Sequence, residues 1–141
     1  MKQKTIIVVQ GVGDAGKSTS IKLACSKIKN AYPTQAADLI IPQSKDDIAP
    51  TILEINGVTI GICGKGDNLQ ELESVIKFTS TCSVIICAAR SSGETDIKLK
   101  EYSFDFWTKW IRKTPSLPHA QAHDNQVTAK KIFEEFELAI R

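Results

Sequence analysis

No apolar stretch in this sequence approaches the ~20 residues that a helix needs to cross a bilayer, so no helical membrane span is expected. Charge of one sign is also scarce. The 18 Lys and Arg nearly cancel the 16 Asp and Glu, leaving a formal net charge of +2. That surplus is too small to argue for nucleic acid or a membrane surface as a partner. The four cysteines, Cys25, Cys63, Cys82 and Cys87, include no C-x-x-C pair. Three of them sit in or beside apolar runs. They read as reduced core residues of a cytoplasmic protein rather than as disulfides or metal ligands. The sequence has no internal repeat and no low-complexity tract. Met1-Lys-Gln-Lys4 leads straight into an apolar run, and no signal peptide is expected there.

What remains is an ordinary globular composition. The 141 residues are 42% hydrophobic and 24% charged, which suits one domain over 1–141 with one sizeable core. Within it, Gly11 to Ser18 read G-V-G-D-A-G-K-S, a full match to G-x-x-x-x-G-K-[ST]. Thr5 to Val9 before it is β-branched and apolar, as a buried strand would be. Lys17 to Ile28 after it reads as a helix with Ile21, Leu23, Ala24 and Ile28 on one stripe. Strand, glycine loop and helix in that order is the context the motif requires.

The chemistry accounts for each residue type. Gly11, Gly13 and Gly16 allow a tight turn and a close approach of backbone to phosphate. The backbone N–H groups of such a loop, Asp14 and Ala15 included, converge on anionic oxygens, and the start of the helix adds favourable charge. Lys17 supplies an ammonium for the β- and γ-phosphates, Ser18 a hydroxyl for Mg²⁺, and Thr19 completes the segment. Asp14 itself reads as a solvated turn residue rather than a catalyst.

On Gly11–Ser18 the chain resembles the P-loop NTPases. The resemblance implies a three-layer, Rossmann-like α/β fold, a bound nucleoside triphosphate and Mg²⁺. The chain is small for that superfamily, and its compactness is similar to the small nucleotide and metabolite kinases. Large inserted lids are therefore not expected.

The rest of the chain fits an alternation of strands and helices. Leu39 to Ile41, ended by Pro42, is a candidate strand. Thr51–Ile55 and Val58–Ile62, joined by Asn56-Gly57, read as a hairpin, because that turn needs positive φ at both positions. A helix is predicted from Leu69 to about Phe78 and a buried strand over Ser83–Ala88. Ser91 to Thr95 reads as a polar loop. Ser103 to Ile111 fits two patterns: Phe104, Phe106, Thr108 and Trp110 alternate as a strand would, Phe104, Trp107 and Ile111 also fit a helix, and a fifth strand is preferred. A loop over Thr114 to about Asn125 and a closing helix over Thr128–Arg141 with Ile132, Phe133, Phe136 and Ile140 inward follow. The sum is a mostly parallel sheet of five to six strands, helices on both faces and one antiparallel hairpin strand.

Ligands in such sheets bind beyond the carboxyl ends of the strands. That rule selects further candidates. Asp67 is the leading one for a second Mg²⁺ or water-positioning acid, its alternative being a residue at a helix start. The sequence departs from the superfamily here, since no run of four apolar residues ends in Asp. Arg90, after Ala88-Ala89, is a candidate to stabilise the transferring phosphoryl group, or else a surface ion-pair partner. Asp46 and Asp47 are weaker candidates for a catalytic base, and Lys65 reads as solvated. His119 and His123 have H-x3-H spacing without a third ligand nearby, which argues against zinc. Trp107 and Trp110 are adenine-stacking candidates, with core packing the commoner use. The basic stretch Lys98–Lys113 reads as a solvated face.

The expected function is an ATP-binding protein that hydrolyses or transfers the γ-phosphate, with Lys17, Asp67 and Arg90 as catalytic candidates and Ser18 and Asp67 as metal candidates. The alternative is a nucleotide-gated binding module with negligible turnover. The partners expected are a nucleoside triphosphate, then a small-molecule acceptor or a protein, with a homodimer compatible and nucleic acid and membrane disfavoured. The guanine-reading Asn-Lys-x-Asp is absent, as is a D-x-x-G after the third strand, so ATP is preferred to GTP.

Overall fold

The computed structural model describes residues 4–11, 16–32, 51–64, 73, 77, 81–90, 94–102 and 106–140. In chain order these form β1 (Thr5–Gln10), α1 (Lys17–Ala31), β2 (Thr51–Ile55), β3 (Val58–Ile62), β4 (Val84–Ala89), α2 (Glu94–Tyr102), β5 (Trp107–Arg112) and α3 (Gln121–Ala139). The five strands form one mixed sheet in the order β2-β3-β4-β1-β5. β1 pairs in parallel with β4 and β5, and β3 with β4, while β2 runs antiparallel to β3 at the edge. The hairpin turn has φ of 51° at Asn56 and 79° at Gly57, as the Asn-Gly pair predicts.

β1 lies between two parallel neighbours, which is why its apolar run is continuous rather than alternating. Ile6, Ile7, Val8 and Val9 are all fully buried, but alternate residues face different cores. Ile7 and Val9 join Ile86 and Ala88 of β4, Ile21, Ala24 and Ile28 of α1, and Ala129, Ile132 and Phe136 of α3. Ile6 and Val8 join Ile85, Cys87 and Ala89 of β4 and Leu99 of α2. Helices therefore cover both faces of the sheet.

α1 and α3 run side by side in parallel. Asn125 of α3 meets Ser20 of α1 near their beginnings, and near their ends Tyr32 Oη donates to Glu137 Oε2 at 2.7 Å. Rings of Tyr32, Phe133 and Phe136 cluster there, with centroids 5.8–6.4 Å apart.

Three expectations need correction. The segment read as a polar loop at Ser91–Thr95 leads into α2, which begins at Glu94. That helix carries no apolar stripe to read: Leu99 is buried, whereas Ile97 is 59% exposed. The fifth strand begins at Trp107 rather than Ser103. The closing helix begins at Gln121 rather than Thr128, because the residues from Gln121 to Val127 are helical yet none is buried. Periodicity reports the buried stripe, not the helix itself. Glu73 and Lys77 are helical, and the rest of the predicted Leu69–Phe78 helix lies outside the described residues, as does the Leu39–Ile41 strand. Among the described residues, no helix is long and apolar enough to cross a membrane.

Candidate functional site at the carboxyl ends of β1 and β4

The chain leaves β1 into α1 on one face of the sheet and leaves β4 into α2 on the other. Between the ends of these two strands the helices diverge to opposite faces, the topological switch point at which a ligand crevice is expected in such sheets. Gln10 and Ala89 are register partners at its floor, and Gly11 N–H donates to Ala89 O at 3.1 Å.

Lys17 occupies this crevice. It is the first residue of α1 and only 5% exposed. Its Nζ donates to Gly11 O at 2.8 Å and to Ala89 O at 3.4 Å. A buried ammonium requires such partners, and carbonyls at the ends of two parallel strands are the acceptors that the sheet leaves over. Gly16, just before it, has φ of 89°, a conformation that disfavours every residue with a Cβ.

Neighbouring elements brace this turn. A Cβ built on Gly16 would overlap Asn125 Oδ1 of α3. Ser20 Oγ donates to Gly16 O at 2.8 Å and lies 3.5 Å from Asn125 Oδ1. On the other side, Ser18 Oγ donates to Gly64 O at 2.7 Å, which ties the start of α1 to the end of β3. Ser18 spends its only proton on that carbonyl, so its oxygen keeps acceptor character, which suits a Mg²⁺ ligand. Among the described residues there is no cluster of three or more His, Cys, Asp or Glu side chains fit to hold a metal ion. Mg²⁺ on a triphosphate does not require one, because phosphate oxygens and water complete its shell.

Gly11, Gly16, Lys17 and Ser18 thus come together at one place. Thr19 begins the outward face of α1 and is exposed. Arg90 follows β4 at the crevice. Its side chain is exposed, and its carbonyl accepts a bond from Gln10 Nε2 at 3.4 Å. Gly13, Asp14, Ala15, Asp46, Asp47, Lys65 and Asp67 lie outside the described residues. His119 sits in the short 3-10 turn Pro118–Ala120 and His123 in α3, both exposed, so their spacing does not place them on one helix.

Three residues at the site were not singled out by sequence reasoning. Gln10 ends an apolar strand with an amide, a signal that was present in the sequence. Asn125 fell in a segment read as a loop. Lys113 belongs to the stretch read as a solvated face. It is 4% exposed, and its N–H donates to Gln10 O at 2.7 Å. The two tryptophans also depart from core packing: Trp107 is 58% and Trp110 39% exposed.

The Cys63 and Cys87 thiols are disfavoured as thiolates. All four cysteines are free and buried. Burial, with Cys82 nearby, pushes the Cys63 thiol up to about 12, and burial with Cys63 nearby does the same for Cys87. Cys63 directly precedes Gly64 at the end of β3, where burial favours its neutral form.

Comparison of the chain with protein-family models, with curated proteins and with solved structures finds no match in any of the three.

Proposed function

We propose that the Gly11–Ser18 segment is a phosphate-binding loop of the P-loop type, set in a three-layer α/β domain. It takes ATP with Mg²⁺ and hydrolyses or transfers the γ-phosphate. The observation that carries this reading is the buried Lys17 ammonium, held on Gly11 O and Ala89 O where β1 ends and α1 begins. An incoming phosphate oxygen is a stronger, charged acceptor than either carbonyl. Lys17 would exchange carbonyl partners for phosphate with little reorganisation, and α1 points its N-terminal end at the same place. Ser18 would serve Mg²⁺, which shields phosphate charge. Arg90 stands at the adjacent strand end as the candidate for developing negative charge. Free, buried thiols support a reducing compartment, and we place the protein in the cytoplasm.

A second reading, a nucleotide-gated binding module with negligible turnover, has an observation of its own. The parallel strands end in Gln10-Gly11, Cys63-Gly64, Ala89-Arg90 and Arg112-Lys113, with no acidic side chain among them. A general base is thus missing from the described part of the crevice.

Isothermal titration with Mg²⁺ and a non-hydrolysable ATP analogue tests both readings, with Lys17→Ala in parallel. Saturable binding that weakens at least ~100-fold in Lys17→Ala is expected, the loss of a buried charge-assisted contact. Equal affinity in the two proteins would remove the assignment. Turnover of ATP by the wild-type protein then separates the enzyme from the gated module.

A further inference from the structure

Strand alternation gives the carboxyl end of the sheet a second, differently built site on the α2 face. Trp110 is the register partner of Val8 and Arg112 of Gln10. Both lie on the face that carries Val8 and Leu99, opposite the face of Ile111 and α3. Lys100, one residue beyond Leu99 on α2, reaches the same place. Gln10, Lys100, Trp110 and Arg112 line an open pocket of about 420 Å³, within the usual range for small-molecule sites.

The lining has a definite chemical character. Trp110 is 39% exposed, an indole left uncovered at the pocket wall rather than packed in a core. Such a ring offers a flat face for stacking another aromatic ring. Arg112 is exposed and has no ion pair with an acidic side chain among the described residues. Its planar fork and the Lys100 ammonium make the rim cationic, with geometry suited to phosphate or carboxylate. Residues i and i+2 of a strand stand about 7 Å apart, so stacking wall and guanidinium are separated by roughly the span from a ring to its pendant anion. The Gln10 amide, nearly buried, adds hydrogen-bonding groups at the floor.

We infer that this pocket binds a small planar aromatic anion of the nucleoside-monophosphate class, stacked on Trp110 with its anionic group on Arg112 and Lys100. Among the described residues one uncovered ring lines this concavity, which fits one such molecule better than a polynucleotide, since that needs successive stacking platforms along a groove. The site is distinct from the Lys17 crevice, on the other face of β1, and does not depend on triphosphate binding there. Gln10 joins the two through its bond to Arg90 O.

The chain has only two tryptophans, and they occupy opposite faces of β5. The variant Trp107→Phe removes an exposed side chain and leaves Trp110 as the sole indole reporter. Titration of this protein with AMP should change Trp110 fluorescence saturably, with a Kd below about 1 mM. Adenosine and inorganic phosphate, each lacking half of the ligand, should bind at least ~10-fold more weakly. Arg112→Gln or Lys100→Gln in the same background should raise the Kd for AMP at least ~10-fold. Lys17→Ala should leave it within about twofold. The inference is overturned by any of four results: no saturable change up to about 10 mM AMP, an unchanged Kd in both cation variants, loss of the response in Lys17→Ala, or a single-stranded oligonucleotide binding more tightly than AMP by ~100-fold or more.

Discussion

The two faces of the sheet are built from alternate residues of the same strands, yet they are stabilised and used differently. On the α1 and α3 face, two long helices deliver Ile21, Ile28, Ile132 and Phe136 to a large apolar core, and the cation at its rim, Lys17, is buried on backbone carbonyls. On the α2 face, among the described residues, the short helix α2 contributes Leu99, the core contains Cys63, Cys82 and Cys87, and the rim cations Lys100 and Arg112 are exposed. The contrast follows from the cost of burying charge. An ammonium without water must have partners supplied by the fold, and those partners pre-position it. An exposed guanidinium needs none and is positioned only by its strand.

This comparison is sharpest in the cores. Phe136→Ala should destabilise by about 3–5 kcal/mol, and Leu99→Ala by about 2 kcal/mol, near the low end for a buried aliphatic truncation. Urea unfolding of both variants gives the difference directly. Equal losses would mean that the α2 face contributes as much as the face with two long helices.

The next effect concerns the pre-positioned turn. Gly16→Ala forces a Cβ into φ of 89°, a backbone cost of about 1–2 kcal/mol, and adds the overlap with Asn125 Oδ1. Adding Asn125→Ala should recover the overlap and leave the backbone share. A double variant no more stable than Gly16→Ala would show that α3 does not brace the loop.

A smaller effect belongs to the α2 face alone. Cys63 and Cys87 hold their protons to about pH 12 when folded, against 9.0 for the ordinary thiol. The unfolded chain releases these protons first. Stability linked to them is therefore complete below pH 9.0 and falls as pH rises toward about 12. Unfolding free energies from pH 8 to pH 11 should decline less steeply in Cys87→Ala than in the wild type. Identical slopes would contradict the burial of that thiol. Smallest of all, Ser20→Ala should cost about 1 kcal/mol, the ordinary worth of the hydrogen bond to Gly16 O that it removes.

Much of this architecture is legible before any coordinates. The continuous apolar run of β1, the Asn56-Gly57 turn and the stripe of α1 are local signals with local causes, and each reappears with nearly the expected bounds. The G-x-x-x-x-G-K-S pattern, read between a strand and a helix, puts Lys17 and Ser18 at the carboxyl end of β1. Where periodicity depends on what lies opposite, the reading weakened. Among the described side chains of α2 only Leu99 is buried, so little of a stripe could be read there. The first turns of α3 bury nothing and so carry no helical pattern, although Asn125 there contacts the start of α1. Trp107 and Trp110 looked like core residues by type. They are exposed because β5 is an edge strand, a property of strand order that composition does not encode.

By itself, then, the sequence determined the strand–loop–helix unit around Lys17, the hairpin and the apolar content of both cores. These depend on interactions within a few residues: β-branching, positive φ at glycine and asparagine, and 3.6-residue periodicity. Only the tertiary structure decided that β4 rather than β3 adjoins β1, so that Ala89 O meets Lys17. Only it decided that Asn125 closes on Gly16, and that Lys100, Trp110 and Arg112 share one pocket with Gln10. Those neighbours are remote in the chain. Their proximity is settled by which helix covers which face of the sheet, a competition among burials that no local pattern records.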